Sequence, residues 1–398
     1  MRIMHTSDWH LGRSFHRVGL LDAQAAFIDH LLAVVEAEAV DLVVVSGDVY
    51  DRALPPVDAV ELADETFARL AASRAQVVVT SGNHDSHIRL GFNSRLADAA
   101  GVHLRTRWQD VGSPVRIDDR HGPVAVYGLP YLEPDAVRGP WGLEGRSHEA
   151  ALAEAMRRVH ADLAGRPSTR SVVMAHAFVA GSADAAPALA SDSERDISVG
   201  GVQIAPTSLF TGVDYAALGH LHGRARLTDS VRYSGSPLAY SFSEAGHTKG
   251  SWLVELGADG FERADFVPAP VPRGLHTVRG RLADLLADPV LAAAEDSWLQ
   301  ATLTDVRRPL HAMERLRARF PHALLLAFDP EGAPRARGPV LPRVDGRSDL
   351  DVALGFVAEV RDLEATTEEA LLLRLACDSC RINDDRDSDG FIDVEHTG

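Results

Sequence analysis

The sequence predicts an α/β fold of two domains followed by a tail, and three observations carry that expectation. Short apolar runs recur through the first half, each ending in polar residues: RIMHT, DLVVVS, QVVVT, SVVMAH and YAALG. Between the early runs lie AQAAFIDHLLAVVEAEAV and VDAVELADETFARLAAS, whose apolar positions fall at three- and four-residue spacing, the period of an amphipathic helix. The length, 398 residues, exceeds the roughly 100–200 usual for one compact domain.

In chain order, RIMHT delivers SDWH, DLVVVS delivers GDVYDR, QVVVT delivers SGNHD, SVVMA delivers His176, and YAALG delivers HLH. Ligand sites of layered α/β folds gather where strands end. VPAPVPRG then reads as a proline-rich joint, which sets a first domain at 1–270 and a small α/β domain at 271–340. PEGAPRARGPVLPRVDGR reads as a linker, and LDVALGFVAEVRDLEATTEEALLLRLA shows helical periodicity with an apolar side suited to a partner. The end, DDRDSDGFIDVEHTG, reads as a disordered acidic tail within 341–398. Asp385, Asp387, Asp389 and Gly390 have the spacing of a calcium loop's start, but Glu395 falls at the eleventh position where the twelfth is needed.

Composition excludes several classes. Hydrophobic residues at 45% and charged residues at 24% describe a chain able to bury a core. No apolar run approaches the roughly 18 residues of a membrane span and no signal-peptide core opens the chain, so a cytoplasmic protein is expected. Cys377 and Cys380 are too few for a structural zinc site or a secreted scaffold. A formal charge of −17 argues against holding nucleic acid by bulk electrostatics alone.

The strand ends together supply Asp8, His10, Asp48, Asn83, His84, His176, His220 and His222. Singly, each has an ordinary reading as a turn or core residue; five motifs at five strand ends do not. Carboxylate, amide oxygen and imidazole without thiolate suit a borderline divalent ion such as manganese, iron or zinc. The set is too large for one ion, whereas two ions about 3.5–4 Å apart would use it and would serve phosphoester hydrolysis. Two dications against two aspartates leave about +2, enough to attract a phosphate to an acidic protein. The Asp8/His10 and His220/His222 pairs have i, i+2 spacing, which in extended chain points both side chains one way.

DWH, GDVYDR, GNHD, His176 and GHLH together resemble the calcineurin-like metallophosphoesterase superfamily. That resemblance implies two β-sheets packed face to face with helices outside, an α/β/β/α sandwich. MRIMHTSDWHLGRSFH, GDVYDRALPP, SERDISVGG and YSGSPLAYSFSEAGHTKG are similar to the SbcD-type nuclease subunits of bacterial SbcCD complexes, relatives of the double-strand-break repair nucleases. The similarity covers roughly residues 1–270 well and implies a capping domain after it.

By that resemblance, Asp8, His10 and His222 hold one metal, most readily manganese, Asn83, His176 and His220 hold the other, and Asp48 bridges. His84 works beside the scissile phosphate, a task suited to imidazole, which exchanges protons near neutral pH. Asp85 is expected to orient an imidazole. Asp51 stands where archaeal relatives carry a second histidine, and its role stays open. Arg13, Arg17, Arg52, Arg89 and Arg95 flank the motifs and are candidates for phosphate contact. The resemblance further implies DNA as substrate, a homodimer within a heterotetramer, and an SbcC-like ATPase partner. No GxxxxGKS motif occurs here, as expected if the ATPase is another chain. Two readings compete: a phosphodiesterase or phosphomonoesterase acting on small molecules, and a catalytically weak bridging subunit.

Overall fold

The structure is a computed structural model that describes residues 1–181, 204–331, 348–361 and 364–388. SERDISVGG, most of the proline-rich linker and the last ten residues lie outside the described residues.

The chain opens with β1 (Arg2–Thr6), α1 (Leu21–Ala37), β2 (Leu42–Ser46), α2 (Val57–Ala71) and β3 (Gln76–Thr80). Two short helices, α3 (His87–Leu90) and α4 (Ser94–Ala99), lead to β4 (Val102–Arg105). Next come β5 (Val115–Asp119), β6 (Gly122–Leu129), α5 (Pro134–Trp141), α6 (His148–Leu163), β7 (Arg170–His176) and β8 (Tyr215–Gly219). β9 (Ala225–Arg226), β10 (Val231–Tyr233), β11 (Gly250–Gly257) and β12 (Gly260–Pro268) complete the body.

Two six-stranded sheets result, ordered β12-β11-β1-β2-β3-β4 and β9-β10-β8-β7-β6-β5. β1 through β4 are mutually parallel, as are β6, β7, β8 and β10. Side chains alternate faces along each strand. Leu42 and Val44 of β2, Val78 of β3, Val172 and Met174 of β7 and Ala217 of β8 therefore meet between the sheets. Val43, Val45, Val77 and Val79 face outward onto Phe27, Ile28, Leu31 and Leu70 of α1 and α2. Val173, Ala175, Ala216 and Leu218 do the same onto Leu152, Met156 and Val159 of α6. The four layers are thus α/β/β/α. Burial on both faces explains why these strands read as unbroken apolar runs.

After the joint, β13 (Leu275–Gly280), α7 (Leu282–Ala287), β14 (Trp298–Leu303), α8 (Ala312–Arg319) and β15 (Ala323–Phe328) make a small parallel sheet with its own core around Leu299, Leu303, Leu316 and Phe320. Leu275, Trp298, Leu324 and Leu325 pack against a buried cluster of Phe15, Leu20, Leu238, Tyr240 and Phe242. The residues up to Glu331 form one compact unit, and the helices beyond form another.

That second unit contains α9 (Asp349–Arg361) and α10 (Thr367–Ser388), which expose Phe356, Leu371, Leu372 and Leu375. α10 runs through Ser388, so the start of the acidic segment expected to be disordered is helical. Extending an existing helix costs far less than starting one, which lets TEEALLLRLA carry the weaker sequence after it.

Candidate metal centre at the carboxyl edge of the sheets

The eight residues drawn from five motifs meet at one edge. Asp8 follows β1, Asp48 follows β2, Asn83 and His84 follow β3, His176 ends β7, and His220 and His222 follow β8. His10 Nε2 lies 3.1 Å from His222 Nε2 and 3.6 Å from Asp48 Oδ2. His176 Nε2 lies 3.3 Å from the same carboxylate oxygen and 3.0 Å from Asn83 Oδ1, which is 3.2 Å from His220 Nδ1. Three groupings bring ligand atoms within 4.8 Å of one another: Asp8, His10 and His222; His10, Asp48 and His84; and Asp8, Asp48 and His176. Asp48 stands between the His10 and His176 sides.

The local backbone differs from the extended chain expected for the DxH and HxH pairs. Asp8, His10, Asp48 and His220 have φ of 53°, 46°, 51° and 103°, a left-handed region that costs a non-glycine residue on the order of 1–3 kcal/mol. Tertiary bonds hold it. Asp8 N–H donates to Gly47 O at 3.0 Å and His10 N–H to Asp48 O at 2.9 Å, lacing the two loops together. Gln24 Nε2 donates to His10 O at 2.7 Å. The glycines before Asn83 and His220 are needed for close approach: a Cβ on Gly82 would strike the Asp48 carboxylate, and one on Gly219 the Ser46 carbonyl.

Tautomers follow from carbonyl partners, which can only accept. His176 Nδ1–H donates to Ser46 O at 2.9 Å, so its Nε2 faces Asp48 Oδ2 and Asn83 Oδ1. His84 Nδ1–H donates to Asp51 O at 2.7 Å. Asp85 was expected to orient an imidazole; among the described residues its carboxylate is bonded to main-chain N–H groups instead. Its carboxylate accepts the main-chain N–H groups of Gly82, Val49 and Tyr50 at 2.9, 3.1 and 2.9 Å, tying the GNHD turn to the loop after β2. Asp51 supplies the carbonyl to His84, while its carboxylate lies 3.4 Å from Arg13 and 3.6 Å from His10 Nδ1.

Electrostatics mark the centre as a place for a cation. Burial pushes Asp8 up to about 6 and His220 down to about 3, and holds His10 well below the ordinary histidine value. Burial would raise Asp48, yet the His176 imidazole holds its carboxyl well below the usual range. Burial would likewise lower His176, but the Asp48 carboxylate raises it to about 9. With Nδ1 committed to Ser46, a proton on Nε2 is what reconciles that nitrogen with two facing oxygens. A divalent ion would do the same with more charge, and this nitrogen–oxygen donor set suits it. Among the described residues His10 Nδ1 is buried without a hydrogen-bond partner.

The arginines divide. Arg13 sits over the Tyr240 ring at 5.0 Å beside Asp51, and Arg52 lies 3.8 Å from Asp51. Arg89 donates to Ala53 O at 3.2 Å, tying α3 to the loop before α2. Arg17 and Arg95 are exposed. Composition missed Ser7, whose hydroxyl contacts Asp8 and lies 2.6 Å from Ser234 Oγ. It also missed Glu244 and Lys249 behind His222.

A family model described as calcineurin-like phosphoesterase matches residues 1–224, more than half of the chain, and the chain belongs to that family. A second, described as type 5 capsule protein repressor C-terminal domain, matches residues 271–361, and the two matches together support an SbcD-type member of the superfamily. Family membership implies a metal-dependent phosphoester hydrolase, and the His/Asp cluster supports divalent metals. Among solved structures, TT1561 of Thermus thermophilus is 13% identical with a TM-score of 0.39, over 67% of this chain and 98% of its own. A dimetal phosphatase from Danio rerio is 13% identical with a TM-score of 0.38, over 68% and 99%. GAP50, the anchor in the inner membrane complex of Plasmodium, is 11% identical with a TM-score of 0.35, over 84% and 98%. Among the described residues no helix is long and apolar enough to cross a membrane.

Proposed function

We propose that the chain is a two-metal-dependent DNA nuclease, an SbcD-like subunit acting on duplex ends, hairpins and single strands in recombination, replication and repair. The observation that carries this reading is Asp48 between two sets of donors, beside a histidine whose ring is already oriented by Asp51. Asp8, His10 and His222 would hold one ion, Asn83, His176 and His220 the other, and Asp48 both. The ions, manganese by this reading, would supply charge stabilisation at the phosphate and an activated water.

The chain's own residues do the rest. Ser46 and Asp51 take the Nδ1–H of His176 and His84, so His84 keeps Nε2 for the substrate. As the doubly protonated imidazolium, His84 would pass the Nε2 proton to the departing oxygen and remain as the Nδ1–H neutral ring. Asp85 rigidifies the turn that carries Asn83 and His84. Arg13 and Arg52, which lie beside Asp51 next to the centre, would be the arginines nearest to hand for DNA phosphates.

The same reading makes residues 1–270 the nuclease domain, 271–340 a capping domain that selects DNA ends, and 341–398 the segment that docks a cytoplasmic SbcC-like ATPase. The exposed apolar residues of α9 and α10 support that docking. Ile88, Phe92 and Leu96, exposed by 73%, 74% and 71%, with Leu54 and Val57, support a homodimer interface on α3, α4, the turn between them and the chain entering α2.

The test is the purified chain with manganese, given end-labelled duplex and hairpin DNA and a chromogenic phosphodiester, with and without the ATPase partner and ATP. DNA degradation enhanced by partner and ATP supports the reading. Cleavage of the small diester alone under every condition would transfer the proposal to a small-molecule phosphodiesterase. No hydrolysis at all would favour a bridging subunit.

A further inference from the structure

Lys249 is the only lysine among the chain's 40 basic residues, and it is buried. Its Nζ donates to His222 O at 2.7 Å, Ser236 Oγ at 2.9 Å and Glu244 Oε2 at 2.5 Å. An ammonium has three donors, and here three acceptors converge on it. Glu244 is 1% exposed, and its other oxygen, Oε1, lies 3.3 Å from His222 Nδ1. The opposite nitrogen of that ring, Nε2, faces His10 Nε2 in the group formed with Asp8.

Three of the site histidines present Nδ1 to a group outside the ligand set, and they are not held alike. His176 and His84 lean on neutral carbonyls, those of Ser46 and Asp51, whereas His222 leans on a carboxylate. A carboxylate behind a ligating imidazole sets its tautomer and strengthens it as a donor. That buried carboxylate also accepts the Tyr240 N–H at 3.3 Å, and Lys249 neutralises its charge and ties it to the His222 main chain. Arginine fills every other basic position, yet a planar fork cannot place three donors on three convergent acceptors.

We propose that Glu244 and Lys249 form a positioning relay that holds His222 with Nε2 toward His10 and thereby sets the affinity of the metal position made by Asp8, His10 and His222. Neither residue touches substrate in this assignment. The proposal rests on the two-metal reading above.

The experiment is manganese titration of the full-length chain, read as ions bound per chain and as the electron paramagnetic resonance signal of a spin-coupled manganese pair, with melting of the metal-free protein as the control for folding. Wild type should bind two ions and show the coupled signal. Glu244→Gln and Lys249→Met should keep one tight ion and bind the second about 10–100-fold more weakly, losing the coupled signal at low manganese. Lys249→Arg should share the defect while folding, because a cavity of about 230 Å³ lies against Lys249. If a single variant fails to fold, the double variant Glu244→Leu/Lys249→Met removes both buried charges together. A merely structural pair would leave that double variant with two ions, and the relay predicts one. Two ions at wild-type affinity in any of these variants would overturn the proposal. Wild type binding no manganese would instead remove the two-metal reading beneath it.

Discussion

His84 Nδ1 lies 2.7 Å from the main-chain carbonyl oxygen of Asp51, so the orientation of the imidazole beside the metal centre is set by backbone and not by a side chain. His84→Ala should therefore keep its metals and lose turnover by a factor on the order of 10²–10⁴. Asp51→Asn, which preserves the carbonyl, should cost less than about tenfold by the same measure. Turnover of a chromogenic phosphodiester, read beside manganese content, checks both. Full activity in His84→Ala would refute the role.

Asp48 lies 3.6 Å from His10 Nε2 and 3.3 Å from His176 Nε2, and its other oxygen accepts the His84 main-chain N–H at 2.9 Å. Asp48→Asn should lose metal as well as activity, unlike His84→Ala. Gly82→Ala should mimic it, because the added methyl meets the Asp48 carboxylate. Metal analysis of the purified variants distinguishes the two kinds of loss.

The metal-free protein should become less stable as pH rises from about 7 to 9. His176 is raised to about 9, above the value near 6.5 of an unfolded histidine, so its stabilisation is complete below 6.5 and disappears as pH passes through 9. His5 and His220, lowered by burial to about 3, are neutral when folded, and their unfolded counterparts lose their remaining charge just above pH 7, so they oppose the slope only at its lower end. Manganese replaces the proton, so loading should flatten the slope and release protons. Scanning calorimetry with chelator and with manganese measures the difference; an unchanged slope would contradict the assignment of His176.

Phe92→Asp with Leu96→Asp should convert a dimer to a monomer without lowering manganese content, since both side chains are exposed. Light scattering at micromolar protein checks the mass. An unchanged dimer would place the interface elsewhere.

Much of the centre was legible because each motif requires residue types that a strand end does not need for packing. DWH, GDVYDR, GNHD, His176 and GHLH converge because parallel strands of two facing sheets end at one edge. What was not legible depends on conformation. The left-handed backbone of Asp8 and His10 is imposed by hydrogen bonds from the loop after β2, which no local spacing announces. Asp85 looked like a histidine's partner because it is adjacent in sequence, yet three peptide N–H groups reach it first. Asp51 acts through its carbonyl, which side-chain chemistry cannot reveal. Glu244 and Lys249 lay inside a stretch already quoted, and the signal available was the lone lysine.

The most direct test of the account is the number of manganese ions bound per chain at saturation. Two are predicted for wild type, with His84→Ala also at two and Asp48→Asn below one. A wild-type chain that saturates at one ion or none would contradict a centre built around a shared Asp48.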